Sequence, residues 1–261
     1  MPFAPINGID LYYETHGKGP ALVFAHGAGG NHLSWWQQVP VFAQRFRCIT
    51  FDHRAFGLSK DIPDEEAPGR RMFHEDLRAL LDHLEIDEVR IVAQSMGGRS
   101  AVGFAWRNPG RCKAMVLAGT TGGAVSDDVR ALQEAHRETE TGKLTLARRS
   151  VAADLKQRDP QREFLYRAIG RLNPPRPRDF LAPPPASYRG SSAGLLAQAG
   201  FPVLFLVGRH DTVTPPDIIE GCHRAVAGSQ FAVIEDSGHS TYFEQPQAFN
   251  ETVMRFLEST L

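Results

Sequence analysis

Three side chains set the chemical possibilities of this 261-residue chain. Ser95 ends an apolar run that begins at Val89, and Met96-Gly97-Gly98 follows it. The residue types read as a strand, a sharp turn and a helix, with serine at the turn. This is the nucleophile-elbow pattern G-x-S-x-G, with Ala93 at the first glycine. Small residues two before and two after the serine let strand and helix cross closely; Ala93 adds one methyl group there and Gly97 none. Asp211 lies in Gly208-Arg209-His210-Asp211-Thr212-Val213-Thr214-Pro215, and His239 in Asp236-Ser237-Gly238-His239-Ser240. A serine hydroxyl is a weak nucleophile until a base takes its proton. A neutral histidine can do so if a carboxylate on its other ring nitrogen holds one tautomer. The reaction such a set performs is acyl transfer, whose tetrahedral oxyanion needs fixed donors. The N–H groups of Met96 and of Ala28, in the glycine-rich His26-Gly27-Ala28-Gly29-Gly30, are the candidates. Loss of one such donor typically costs about 3 kcal/mol of barrier. Each piece alone has a plainer meaning: a serine N-cap, an aspartate in a turn, a solvated loop histidine, a glycine-rich connection.

The elements that must position these groups can be read from hydrophobic pattern. Phe3 to Ile6, Asn7-Gly8 and Ile9 to Tyr13 predict a β-hairpin. Ala21 to Ala25 and Phe46 to Phe51 are unbroken apolar runs of strand length, as for strands covered on both faces. Ser34 to Gln44 predicts a helix carrying Trp35, Trp36 and Val39, broken or kinked at Pro40. Leu77, Leu80, Leu81 and Leu84 recur at helical spacing within Arg71 to Leu84. The helix after Ser95 should stop at Asn108-Pro109-Gly110. Further strands are expected at Ala114 to Leu117, Pro202 to Val207 and Gln230 to Ile234, with helices over Pro215 to Val226 and Pro246 to Leu257. Strands alternating with helices imply a mostly parallel, doubly wound eight-stranded α/β sheet. The rhythm breaks at Gly122-Gly123: residues 126–198 hold no buried strand, being helical and arginine-rich to Leu172 and proline-rich from Asn173 to Pro185. The division expected is a core of residues 1–122 and 199–261 with a helical cap, 123–198, inserted in it.

Bulk properties exclude several classes. Hydrophobic residues make up 42% and the net charge is −1, so nothing draws the chain to nucleic acid or to anionic membranes. No apolar run is long enough to span a bilayer and no signal-like leader opens the sequence, which leads to the expectation of a cytoplasmic protein. Cys48, Cys112 and Cys222 are scattered and read as reduced structural thiols. No H-E-x-x-H or H-x-H occurs, so no metal is expected.

At these motifs the chain resembles the α/β-hydrolase family over nearly its whole length outside the cap. His26-Gly27 is similar to the oxyanion loop. Asp52 to Ser59 is similar to D-x-R-G-x-G-x-S, departing at Ala55. Gly208 to Pro215 is similar to the G-x-x-D-x-x-x-P acid loop. His239 with Glu244 and Pro246 resembles G-H-x-x-x-x-E-x-P. Serine, acid and histidine come in the order of that family's triad. Among its branches the chain is most similar to small capped esterases, enol-lactonases and C–C bond hydrolases, and to cofactor-free perhydrolases. C–C hydrolases often carry tryptophan after the histidine, where this chain has Ser240. The resemblance implies a carboxylic ester, lactone or thioester hydrolase with Ser95 as nucleophile, His239 as base, Asp211 orienting it, and no cofactor. Activity should then fall as His239 protonates. A C–C hydrolase, a perhydrolase, a cofactor-free dioxygenase and a slow ligand sensor are the alternatives.

The substrate, a small acyl compound, should sit between sheet edge and cap. Trp35, Trp36, Phe56, Met96, Val213, Tyr242 and Phe180 are candidate walls, although neighbours on one helix, about 100° apart, cannot both face inward. Arg99, one turn beyond Ser95, is the candidate to hold a substrate carboxylate, a surface or salt-bridging position being its plainer reading. The sequence leaves a homodimer open.

Overall fold

The computed structural model describes residues 2–61, 69–176, 180 and 191–261. Strands β1 (Phe3–Ile6), β2 (Ile9–His16), β3 (Ala21–Ala25), β4 (Arg47–Phe51), β5 (Val89–Gln94), β6 (Cys112–Ala118), β7 (Val203–Gly208) and β8 (Gln230–Ile234) form one sheet. Its order is β1-β2-β4-β3-β5-β6-β7-β8. The first two pairings, β1 with β2 and β2 with β4, are antiparallel and the rest parallel. The hairpin turn falls at Asn7 and Gly8, both at positive φ, as a two-residue turn matched to strand twist requires.

Period-two alternation sorts the strand residues between two cores. Val23, Ile49 and Ile91 face one core, filled by Leu77, Leu80 and Leu81 of α2 (Phe73–His83) and by Ala101 and Phe104 of α3 (Gly97–Arg107). Leu22, Phe24 and Val92 face the other, filled by Phe42 of α1 (Val39–Phe42) and by Phe249, Val253 and Phe256 of α11 (Pro246–Glu258). The three cysteines are buried free thiols, each pushed up to about 12 by burial.

The helix expected from Ser34 to Gln44, broken or kinked at Pro40, is found as a 3-10 turn, His32–Trp35, followed by α1. Proline has no N–H for the carbonyl four residues back, so Pro40 is placed in the first turn of a new helix. Asn31 caps the 3-10 turn: its side chain accepts from Leu33 N–H, and Ser34 Oγ accepts from the Asn31 N–H.

Between β6 and β7 the described residues form five helices, α4 (Asp127–Glu138), α5 (Leu146–Arg149), α6 (Leu155–Arg158), α7 (Pro160–Arg171) and α8 (Ala193–Gln198). The proline-rich stretch foreseen from Asn173 to Pro185 lies, beyond Arg176 and apart from Phe180, outside the described residues. The chain closes through α9 (Pro216–Ala225), β8, the turn α10 (Thr241–Glu244) and α11. Among the described residues no helix is long and apolar enough to cross a membrane.

Sheet topology fixes where a site can form. From β3 the chain crosses to β4 on one side and then to β5 on the other, so β3 and β5 straddle the point where strand order reverses. Ligands of open α/β sheets bind at the carboxyl ends of the strands at such a point. Ala25 and Ala93 are register partners, so the loop opening at His26 and the turn at Ser95 emerge side by side.

Candidate active site

Ser95 sits between β5 and α3 at φ 50°, a left-handed conformation that costs a non-glycine residue energy. Its N–H donates to the Ala118 carbonyl at 2.9 Å, which anchors the turn to β6. Close packing around it explains the small residues. A Cβ on Gly97 would overlap the Ala25 carbonyl, and one on Gly98 would lie 2.7 Å from Thr120. Ala93 is fully buried in β5, and its single methyl is accommodated there.

His239 Nε2 is 2.9 Å from Ser95 Oγ, and His239 Nδ1 is 2.8 Å from Asp211 Oδ2. Histidine and aspartate are buried, the serine half-buried. Asp211 is held by its own loop: Oδ1 accepts from the N–H groups of Val213 at 2.8 Å and Thr214 at 2.9 Å. The Thr214 hydroxyl lies 3.1 Å from Asp211 Oδ2 and 2.9 Å from the Gly119 carbonyl, with one proton to share between them. A Cβ on Gly119 would come within 3.1 Å of His239 and 3.2 Å of Asp211, so glycine leaves room for the pair. Thr214 and Gly119 carried no sequence signal beyond their loops. A hydroxyl, imidazole and carboxylate so aligned can pass the Oγ proton to Nε2 while the carboxylate stabilises the imidazolium.

Glu244 organises the base loop from below. Its fully buried carboxylate accepts from Gly238 N–H at 3.1 Å, Ser240 N–H at 3.3 Å and Ala152 N–H at 2.9 Å. One side chain thereby ties the histidine loop to the helical segment. Burial raises its pKa, with the backbone donors and Arg158 pulling the other way. Ser240 adds a second tie, donating to the Ser150 carbonyl at 2.7 Å and lying 2.9 Å from the Tyr166 hydroxyl.

The loop after β3 is fixed through His26. Its Nδ1 pairs with the Gly27 carbonyl at 2.8 Å, so it carries the proton. Its Nε2 accepts from the His53 N–H at 3.0 Å. Burial, the largest influence, lowers its pKa to about 4, and Arg176 adds to the lowering. His53, stacked on Phe73, is also held well below the usual histidine value, chiefly by burial. Beside them the Asp52 carboxylate accepts from His32 N–H at 2.6 Å and Leu58 N–H at 2.8 Å, and Arg54 is buried in a two-bond pair with Asp76 at 2.6 and 2.7 Å. Ala55, the departure from the D-x-R-G pattern, adopts φ 62°, where a glycine carries no Cβ penalty.

A cavity of about 360 Å³ opens on Ser95 and His239. Ala28, Gly29 and Gln94 wall it from the sheet side, and Leu146, Tyr166 and Gly170 from the helical segment. Of the expected walls, Trp35 and Tyr242 lie instead in the core, their rings tilted against one another with centroids 4.6 Å apart, because that helical turn points Trp35 at Phe24. Trp36 turns outward, 47% exposed, against the Phe243 ring. Phe56 is buried with Phe73 and Met96 in a cluster that also touches Ala28 and Phe180; it backs the loop rather than the cavity. Val213 spends its N–H on Asp211, and Arg99 is exposed on α3; neither lines the cavity. Met96 is the N-cap of α3, directly after Ser95. Gln94, whose side-chain amide donates to the His239 carbonyl at 3.2 Å, was legible only as the residue before the serine; Tyr166 carried no signal. Among the described residues no group of three or more His, Cys, Asp or Glu could hold a metal ion.

This sheet order and this site define a class, and the comparisons agree with it. The alpha/beta hydrolase fold family matches residues 20–246, so the chain belongs to that family and is a hydrolase. A 2-hydroxy-6-oxononadienedioate/2-hydroxy-6-oxononatrienedioate hydrolase of Paraburkholderia xenovorans is 30% identical over 95% of this chain and 91% of its own. A thermophilic esterase from Thermogutta terrifontis superposes with a TM-score of 0.78 at 26% identity, covering 99% of this chain and 97% of that one. Est816, an N-acyl homoserine lactone degrading enzyme, gives a TM-score of 0.78 at 26% identity, covering 98% and 100%.

Proposed function

We propose that the chain is a serine hydrolase of small carboxylic esters, lactones or thioesters, acting through an acyl-enzyme, with residues 123–198 as a cap over the site. The observation that carries this reading is the Ser95–His239–Asp211 alignment, at 2.9 and 2.8 Å, opening on one cavity. As Ser95 Oγ attacks the carbonyl carbon, His239 Nε2 takes its proton. The carbonyl oxygen becomes an anion bound by the N–H groups of Met96 and Ala28. Collapse of this intermediate expels the alkoxide or thiolate, which takes the proton from Nε2. Water, deprotonated by the same nitrogen, then attacks the acyl carbon, and Ser95 leaves with the proton as the acid departs. The esterase and lactonase neighbours support this chemistry. Hydrolysis of a C–C bond is the second reading, favoured by the 30%-identical relative; the same three residues would serve it.

Labelling with a fluorophosphonate, read by mass spectrometry, tests the assignment. One adduct at Ser95, absent in Ser95→Ala together with ester turnover, is expected. A folded protein that takes no label, or Ser95→Ala turning over esters undiminished, would overturn it and favour a histidine-base or sensor role.

A further inference from the structure

The cavity at Ser95 is electrically one-sided. Among the described residues Arg167, Arg171 and Arg176 line it, and no aspartate or glutamate does. Arg167 is committed to structure: Nε donates to Glu163 at 2.9 Å, and Nη1 to the Ala147 carbonyl at 2.7 Å and the Ser150 hydroxyl at 3.1 Å. Arg171 is exposed, its guanidinium over the Phe164 ring.

Arg176 is placed differently. It is half-buried, 3.9 Å above the centroid of the Phe56 ring, and Nη1 donates to the Ala55 carbonyl at 3.1 Å. Among the described residues no carboxylate pairs with it, and burial is the one influence on its pKa, which it lowers. A cation withdrawn from water without a counter-charge is costly, and an anionic ligand would remove that cost. The aromatic face and the Ala55 bond hold the guanidinium in one orientation before any ligand arrives. Asn173, three residues earlier, fixes the segment itself: Oδ1 accepts from Gly57 N–H at 2.9 Å, and Nδ2 donates to the Gly30 carbonyl at 3.2 Å. Arg176 is thereby tied to the same loop that carries Ala28. Its charge is felt at His26, the first residue of that loop.

We infer that Arg176 binds a carboxylate of the substrate, so that the cavity selects small carboxylate-bearing esters or lactones over their neutral counterparts, an inference that rests on the serine-hydrolase reading above. A planar guanidinium presents paired N–H groups that match the two oxygens of a carboxylate. The charge of Arg167 is paired with Glu163, while the exposed Arg171 raises the local concentration of an anion without needing to touch it. Leu146, Ala147 and Gly170 supply apolar wall for the carbon spacer between acid and ester. A volume of about 360 Å³ suits a small molecule, near the lower end of ligand pockets.

The test compares kcat/KM within two matched pairs. Monomethyl adipate against methyl hexanoate puts the acid on the acyl side; 4-acetoxybenzoate against p-tolyl acetate puts it on the leaving group. The wild-type chain should prefer the acid-bearing member of at least one pair by about tenfold or more, equivalent to about 1.4 kcal/mol. The preference should shrink as salt is raised. Arg176→Gln should bring that ratio close to one, and Arg176→Lys should retain part of it. A wild-type ratio at or below one in both pairs, with neutral esters still hydrolysed, overturns the carboxylate site and leaves the hydrolase reading intact. A ratio unmoved by Arg176→Gln, or by salt if that variant does not fold, overturns it as well. Failure of all four substrates together with failure of Ser95 to label overturns the hydrolase reading itself.

Discussion

Protonation of His26 should destabilise this protein at the loop after β3, and the size of the effect follows from the contacts. In the folded chain the ring is fully buried, donates through Nδ1 to Gly27 and accepts through Nε2 from the His53 N–H. A proton on Nε2 would hold a charge away from water, which burial makes costly, and would turn the new N–H toward the His53 donor. The folded pKa is accordingly lowered to about 4 from 6.5. Because the folded value is depressed, the unfolded chain binds the proton first. The stabilisation is fully present above the unfolded value and is lost as pH falls toward the folded one. Linkage over that interval is worth about 3.4 kcal/mol in all, and about 2.4 kcal/mol between about pH 7 and about pH 4.5. Against a whole-domain stability of order 5–15 kcal/mol this is a large share. Denaturant unfolding of the wild-type chain and of His26→Asn at both pH values isolates the term, since every other titrating group is common to the two proteins. The variant, less stable throughout, should lose about 2.4 kcal/mol less than wild type across the interval. Equal losses in both would refute the reasoning, as would a His26 ring that titrates by NMR near pH 6.5.

Four substitutions probe the rest of the site. Asp211→Asn should keep the fold and lower kcat by about 10³–10⁴-fold, because an amide no longer holds the productive histidine tautomer; steady-state kinetics with a short ester checks it. Glu244→Gln replaces an oxygen acceptor by an NH₂ group facing backbone donors, and should cost about 1–3 kcal/mol in a urea titration. Gly97→Ala should cost more than a surface substitution, about 1–3 kcal/mol, and depress turnover, since the new methyl meets the Ala25 carbonyl backbone. Ala55→Gly should stabilise by up to about 1 kcal/mol, relief of the left-handed conformation exceeding the entropy gained by the unfolded chain; a fall in the unfolding midpoint would contradict that balance.

The parts of this protein that were legible in the sequence are those set by neighbours along the chain. Period-two and continuous apolar runs marked all eight strands, because a residue's facing within a strand follows from its position alone. Turn chemistry marked Asn7-Gly8 and the Ser95 elbow, and loop motifs at strand ends marked Asp211 and His239. Once the strand order is parallel, their ends must share one edge. Pro40 showed where a helix would break, but not that a separate 3-10 turn would precede it. The cavity walls are another matter. Whether Trp35 or Trp36 points inward depends on the rotation of one turn against Phe24 and Tyr242, residues remote in sequence. Tyr166, Asn173 and Arg176 reach the site only because the helical segment folds back across the sheet edge, held by Glu244 to Ala152 and by Asn173 to Gly30 and Gly57. Such contacts are set by packing between segments far apart in sequence, which no local pattern encodes. The identities of the three side chains that align at the candidate site were therefore written in the chain itself, while the charge and shape of the space around them were decided by tertiary structure alone.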